Sequence, residues 1–334
     1  MGQAHRSEVV VITGASGGVG RATIREFAQR GAHIGLVARG EAGLDGALQD
    51  VERLGGKAIA IPTDTADYDA VEAAVTKVEE TFGPIDVWVN VAFTTVFAEF
   101  INVRPEAYKR VTEVTYLGYV HGTMAALKRM LPRDHGKIVQ VGSALAYRSI
   151  PLQSAYCGAK HAINGFTDSI RCELIHHNSK VRITTVQLPA VNTPQFTWGR
   201  DKMPKKAQPV PPIYQPEVIA QGIYWAAHHK KRELWIGGST VKAIVGNMLV
   251  PSFADWYLGK TGYRAQMRDQ PNPHGPDNLY EPVDTDEDYG AHGAFDSQSI
   301  PRSYQLWVAE HKGLVAAGAG LAALGLAATY GKLR

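Results

Sequence analysis

The chain has 334 residues, 45% hydrophobic and 20% charged, enough for one large globular domain with an extension or for two domains. Its two cysteines, Cys157 and Cys172, exclude a disulfide framework and suit a reducing compartment. The net charge of +3 is uneven: Asp269 to Asp296 carries eight acids and no Lys or Arg, leaving +11 elsewhere. That surplus is scattered and lacks interleaved aromatics, which argues against nucleic acid as a partner.

No apolar h-region precedes the first strand, so a cytoplasmic location is expected. Gly2 does not complete a myristoylation signal, because Arg6 stands where Ser or Thr is needed. Val9 to Ile12 is a β-branched apolar run, the pattern of a buried parallel strand. It enters T-G-A-S-G-G-V-G (Thr13 to Gly20) and then an amphipathic helix with Ile24 and Phe27 on one face. Strand, glycine-rich turn and helix N-terminus together make a site for a diphosphate, with Gly14, Gly18 and Gly20 allowing the tight turn and close approach.

His33 to Ala38 predicts the second strand, whose end should lie near an adenosine ribose. No acid follows until Glu41, whereas Arg39 is positioned to grip a 2′-phosphate and Arg21 to help it, which favours NADP(H) over NAD(H). Further strands are expected at Ala58 to Ile61, Ile85 to Val89, Lys137 to Val141, Arg182 to Val186 and Glu233 to Ile236, alternating with helices. This alternation predicts an α/β fold, a Rossmann-type doubly wound parallel sheet of about seven strands. Asn90, Ser143, Arg39 and the glycine loop all fall at the C-terminal ends of its strands, where such sheets bind ligands.

Ser143 precedes Tyr156 by thirteen residues, and Tyr156 and Lys160 are four apart on a predicted helix, so they share a face. A lysine ammonium beside a phenol favours phenolate, and a serine hydroxyl can hold a carbonyl oxygen against it. The triple suits proton transfer to or from an oxygen. The adjacent histidines at 176–177 and 228–229 sit at helix ends and suggest no metal site.

Taken together, T-G-x-x-x-G-x-G, Ser143 and Y-x-x-x-K resemble the short-chain dehydrogenase/reductase superfamily over roughly residues 7 to 250. The resemblance implies that Ser143, Tyr156 and Lys160 are catalytic, with Tyr156 as general acid/base and Lys160 also bonding the nicotinamide ribose. It implies cofactor contacts from Gly14, Ser16, Gly18, Val19, Gly20, Arg39, Asp64, Asn90, Ala92 and Thr193, with Asp64 beside adenine and Thr193 on the carboxamide. It implies a small-molecule ketone, aldehyde or alcohol as substrate, and a homo-oligomer. Two positions depart from the family: Phe93 replaces a glycine and should crowd the adenosine side, and Thr115 replaces an asparagine of the proton relay. The alternative reading is an NADPH-binding regulatory or structural protein with weakened catalysis, which only Thr115 supports.

Pro194 to Tyr214 is rich in proline, aromatic and basic residues, which suits either a lid over a lipophilic substrate or a solvated loop. A Pro-rich acidic extension, 251–312, is expected to be loop-rich and packed on the main domain, 1–250. Residues 313–331 carry no charge and are mostly Ala and Gly, so they form either a membrane anchor or a helix docked on protein.

Overall fold

The computed structural model describes residues 6–313 and 315. Seven parallel strands form its central sheet: β1 (Val9–Thr13), β2 (His33–Ala38), β3 (Lys57–Pro62), β4 (Val87–Asn90), β5 (Lys137–Val141), β6 (Arg182–Gln187) and β7 (Glu233–Trp235). Their order is β7-β6-β5-β4-β1-β2-β3, reversing direction at β1, as in a doubly wound fold. The sheet is read correctly from the sequence to within a residue or two at each strand end.

Alternation along the strands sends side chains to two cores. Val10 and Ile12 face α1 (Gly18–Ala28), α2 (Glu41–Arg53) and the later helix Pro216–His228, through Ile24, Phe27, Leu44 and Ile223. Val9 and Val11 face the other layer, where Val75 and Val78 come from α3 (Tyr68–Phe82). Asp67 starts α3 by accepting a hydrogen bond from the Ala70 amide at 3.0 Å.

The helical stretch before β5 is not uniform. α4 (Pro105–Thr112) passes through a wider, π-helical turn, Glu113–Leu117, into α5 (Gly118–Met130). The turn carries Thr115, and such insertions re-aim side chains at functional sites. α6 (Ser154–His176) carries Tyr156 and Lys160, and α7 is Pro216–His228.

Beyond β7 the chain is more regular than expected. α8 (Gly238–Leu249) and α9 (Pro251–Ala265) follow, so the first fifteen residues of the extension are helical. Met267–Pro271 then pairs antiparallel with Lys205–Ala207. An irregular segment crosses to the glycine loop and returns at Ser299–Ile300, which pairs with Ile213–Tyr214. Three of its acids meet cations of the main domain: Asp269 with Lys205 at 2.6 Å, Asp277 with Arg200 at 2.8 Å and Asp288 with Arg21 at 2.9 Å. Part of the uneven charge is therefore an attachment of the extension to the domain.

α10 (Tyr304–Glu310) buries Leu306 in the core beside α7. Except for Gly313 and Val315, the apolar stretch 313–331 lies outside the described residues. Among the described residues, no helix is long and apolar enough to cross a membrane.

Candidate active site

The glycine loop is shaped by its own backbone. Gly14 and Gly18 have φ of +68° and +54°, which L side chains rarely adopt. A Cβ at Gly14 would lie 2.8 Å from the Ala92 Cα, and one at Gly20 only 1.9 Å from the Gly14 carbonyl oxygen. The loop is thus folded too closely on itself and on Ala92 for a side chain at Gly14 or Gly20. It forms one wall of a mainly apolar cleft of about 680 Å³. Ser16, Val19, Arg39, Asp64, Ala92, Ser143, Tyr156 and Thr193 line the same cleft.

β5 delivers Ser143 to this cleft. Its amide donates to the Gln187 side chain at 2.7 Å, and its Oγ accepts from the Leu145 amide at 3.1 Å, capping a short turn, Ala144–Ala146. Tyr156 arrives on the first turn of α6. Burial holds its phenol well above the ordinary value, and a hydrogen bond with Ser143 works the other way. Phe93 lies edge-on to the Tyr156 ring, with centroids 5.6 Å apart. It therefore stands at the Tyr156 end of the cleft and points away from the adenosine side that it was expected to crowd.

Lys160 is buried behind this wall and does not line the cleft. Its ammonium donates to the Tyr119 hydroxyl at 3.0 Å and to the Val141 carbonyl oxygen at 2.8 Å. Three rings frame it, Tyr119 at 4.7 Å, Tyr156 at 5.6 Å and Phe93 at 5.7 Å. Burial brings the lysine down to about 7. The expected depression of the Tyr156 phenol by Lys160 is absent, because the ammonium turns to Tyr119.

Four further expectations are corrected. Asn90 is fully buried and not on the cleft: its amide nitrogen donates to Gln140 and Thr123, and its oxygen accepts from the Trp88 indole at 2.7 Å. It ties β4 to β5 and α5. Thr115 holds no place for a relay water, since its hydroxyl accepts from the Thr94 amide at 3.0 Å and donates to the Thr94 carbonyl at 2.8 Å. Arg21 is buried between Asp50 and Asp288. Arg39 donates to the carbonyl oxygens of Tyr280 and Asn278 in the extension, so its fork is not offered to a phosphate. Asp64, by contrast, keeps its place on the cleft while pairing with Arg110.

At the far end, Leu145, Ile150, Val210, Phe253 and Tyr257 give the cleft an apolar mouth between the Pro194–Tyr214 region and α9. The former region is pinned: Arg200–Asp201 pairs with Val96–Phe97 and Ile213–Tyr214 with Ala190–Val191. Sequence reasoning missed Asn278, Val283 and Asp284, which also line the cleft. No motif marks them, because a distant irregular segment has no period linking it to β2.

Comparison with known proteins gives concordant matches. A family model described as short chain dehydrogenase matches residues 8–203. The uncharacterized oxidoreductase YxnA of Bacillus subtilis (strain 168) is 33% identical over 281 residues, 83% of this chain and 78% of its own. The 3-dehydrosphinganine reductase of Danio rerio is 31% identical over 220 residues, 64% of this chain and 66% of its own. A solved structure of a variant actinorhodin polyketide ketoreductase with NADPH matches with a TM-score of 0.63 and 26% identity, covering 70% of this chain and 97% of that one.

Proposed function

The chain belongs to the short-chain dehydrogenase family, and from that premise we propose that it interconverts a lipophilic ketone or aldehyde and the corresponding alcohol, with Tyr156 as general acid/base. Family membership makes it an NAD(P)-dependent oxidoreductase. The observation that carries the finer reading is the sharing of one apolar cleft by Ser143, Tyr156 and the glycine loop.

The loop fits a dinucleotide, because Gly14, Gly18 and Gly20 line the cleft at the N-terminus of α1. Gly14, Ser16, Gly18, Val19 and Gly20 would hold the diphosphate, Asp64 and Ala92 would flank adenine, and Thr193 would meet the carboxamide. The bound nicotinamide supplies hydride chemistry. The chain's own contribution is orientation and proton transfer. Ser143 holds the substrate oxygen, and the Tyr156 phenol gives that oxygen its proton or takes it back. A phenol held above its ordinary value is protonated at neutral pH, which suits the acid role in carbonyl reduction. The Leu145, Ile150, Phe253 and Tyr257 walls exclude water and favour an apolar substrate.

The test is turnover of hydrophobic ketones with NADH and NADPH, alongside dinucleotide binding measured by calorimetry. Tyr156→Phe is expected to lower kcat by about 10²–10⁴-fold with dinucleotide affinity nearly unchanged. Turnover that survives the substitution removes the tyrosine from its role.

A further inference from the structure

The extension adds a buried carboxylate to the cofactor end of the cleft. Asp284 is 7% exposed and lines the cleft beside Ser16, Ala38 and Arg39. A Cβ on Gly40 would lie 1.9 Å from its Oδ1, and one on Gly43 2.4 Å from its Oδ2. The carboxylate thus fills the corner between the glycine loop and the start of α2, just past the C-terminal end of β2. Main-chain bonds fix it there: the Gly43 amide donates to the Asp284 carbonyl at 3.1 Å, and the Ala42 amide to the Thr285 carbonyl at 3.3 Å. Its oxygens are not among the sealed, unpartnered polar atoms of the described residues and stay open to the cleft.

Carboxylate oxygens that open onto a cleft are acceptors that a ligand there can use. In a doubly wound sheet this corner receives the adenosine ribose. Resting on the dinucleotide reading above, we propose that Asp284 accepts hydrogen bonds from the adenosine ribose hydroxyls and excludes a 2′-phosphate, so that the chain uses NAD(H).

The surroundings support the choice. Arg39 has its fork engaged by two carbonyls of the extension, and Arg110 is already paired with Asp64. Asp64, Asp284 and Glu281 all act on Arg39, and a phosphate dianion would add to that negative charge. A ribose diol instead brings two donors and no charge to an acceptor-only group. On this proposal the acid that the end of β2 lacks is supplied by a remote segment, Asp284.

Calorimetric titration of the full chain with NADH, NADPH, 5′-ADP and 2′,5′-ADP tests the proposal without relying on turnover. Wild type is expected to bind NADH and 5′-ADP at least about tenfold more tightly than their 2′-phosphorylated partners, and Asp284→Asn to remove most of that ratio. Arg39→Ala is expected to leave NADPH no weaker relative to NADH. Tighter binding of NADPH by wild type, an unchanged ratio in a folded Asp284→Asn, or a selective loss of NADPH in Arg39→Ala would each overturn it. Binding of none of the four ligands would instead overturn the dinucleotide reading on which it rests.

Discussion

Lys160 and Tyr119 are joined by a buried hydrogen bond of 3.0 Å in which the ammonium donates to the phenol oxygen. The same hydroxyl donates to the Val141 carbonyl at 2.9 Å, which also accepts from the ammonium. Lysine, phenol and carbonyl close a triangle, with the Thr115 hydroxyl committed to Thr94 nearby. Tyr119 therefore positions the lysine.

Tyr119→Phe removes one acceptor of the ammonium. The remaining partner is Val141, so the lysine loses stabilisation of its charged form and its pKa falls below about 7. The expected results are a kcat lowered by about tenfold, a pH–rate limb displaced toward acid, and a stability loss of about 1–3 kcal/mol. A pH profile of kcat distinguishes this from a purely structural loss, which lowers the curve without moving it.

Burial of Lys160 couples stability to pH. Its folded value of about 7 lies below its ordinary 10.5, so between those values the unfolded chain binds more protons. Stability contributed by this site rises with pH through that window, approaching about 1.4 kcal/mol per unit, and is least below pH 7. Lys160→Met removes the dependence. Urea unfolding of both proteins at pH 7 and pH 9 should show a gap between them that narrows at pH 9; a constant gap excludes a lysine of lowered pKa.

Phe93 meets the Tyr156 ring edge-on, with centroids 5.6 Å apart. Such contacts contribute about 0.5–1.5 kcal/mol, so Phe93→Ala should lower kcat on small ketones by about two- to tenfold. The vacated space should lower KM for branched ketones. Equal effects on all substrates would place Phe93 outside the substrate region.

Asp50 accepts from the Arg21 and Arg25 Nε atoms, each at 2.6 Å, and also pairs with Arg53. Its burial acts to raise its carboxyl, and the arginine hydrogen bonds outweigh that and lower it. Arg21 is 2% exposed, so Asp50→Ala takes the buried partner from a buried cation, leaving it only the more exposed Asp288, and should cost about 3–5 kcal/mol. Asp288 is 35% exposed, and Asp288→Asn should cost below about 1 kcal/mol. Urea midpoints at neutral pH rank the two; a reversed rank would contradict the buried-pair account.

The sheet was legible because its strands are short apolar runs separated by helical periods, a local signal. Ser143, Tyr156 and the glycine loop were legible for the same reason, since each is fixed by its own strand end or helix turn. What failed was the direction of particular polar groups, Asn90, Arg39 and Lys160. Asn90 turned inward because Trp88, Thr123 and Gln140 offer it partners from other elements. Arg39 turned to carbonyls contributed from residues 278 and 280, a partnership that no local pattern encodes. Phe93 was rightly singled out as unusual but assigned to the wrong end, because its ring direction depends on the Tyr156 ring it meets.

The strap that carries Asp284 is held at both ends, by Met267–Pro271 on Lys205–Ala207 and by Ser299–Ile300 on Ile213–Tyr214. A segment so fixed cannot swing aside as a free arm does, and the conformations open to it are few before any ligand arrives. The loss of chain entropy that orders it falls within folding rather than within recognition. Binding at that end of the cleft should therefore behave as docking into a rigid slot, with threading past the strap, not its ordering, governing how fast a molecule enters and leaves.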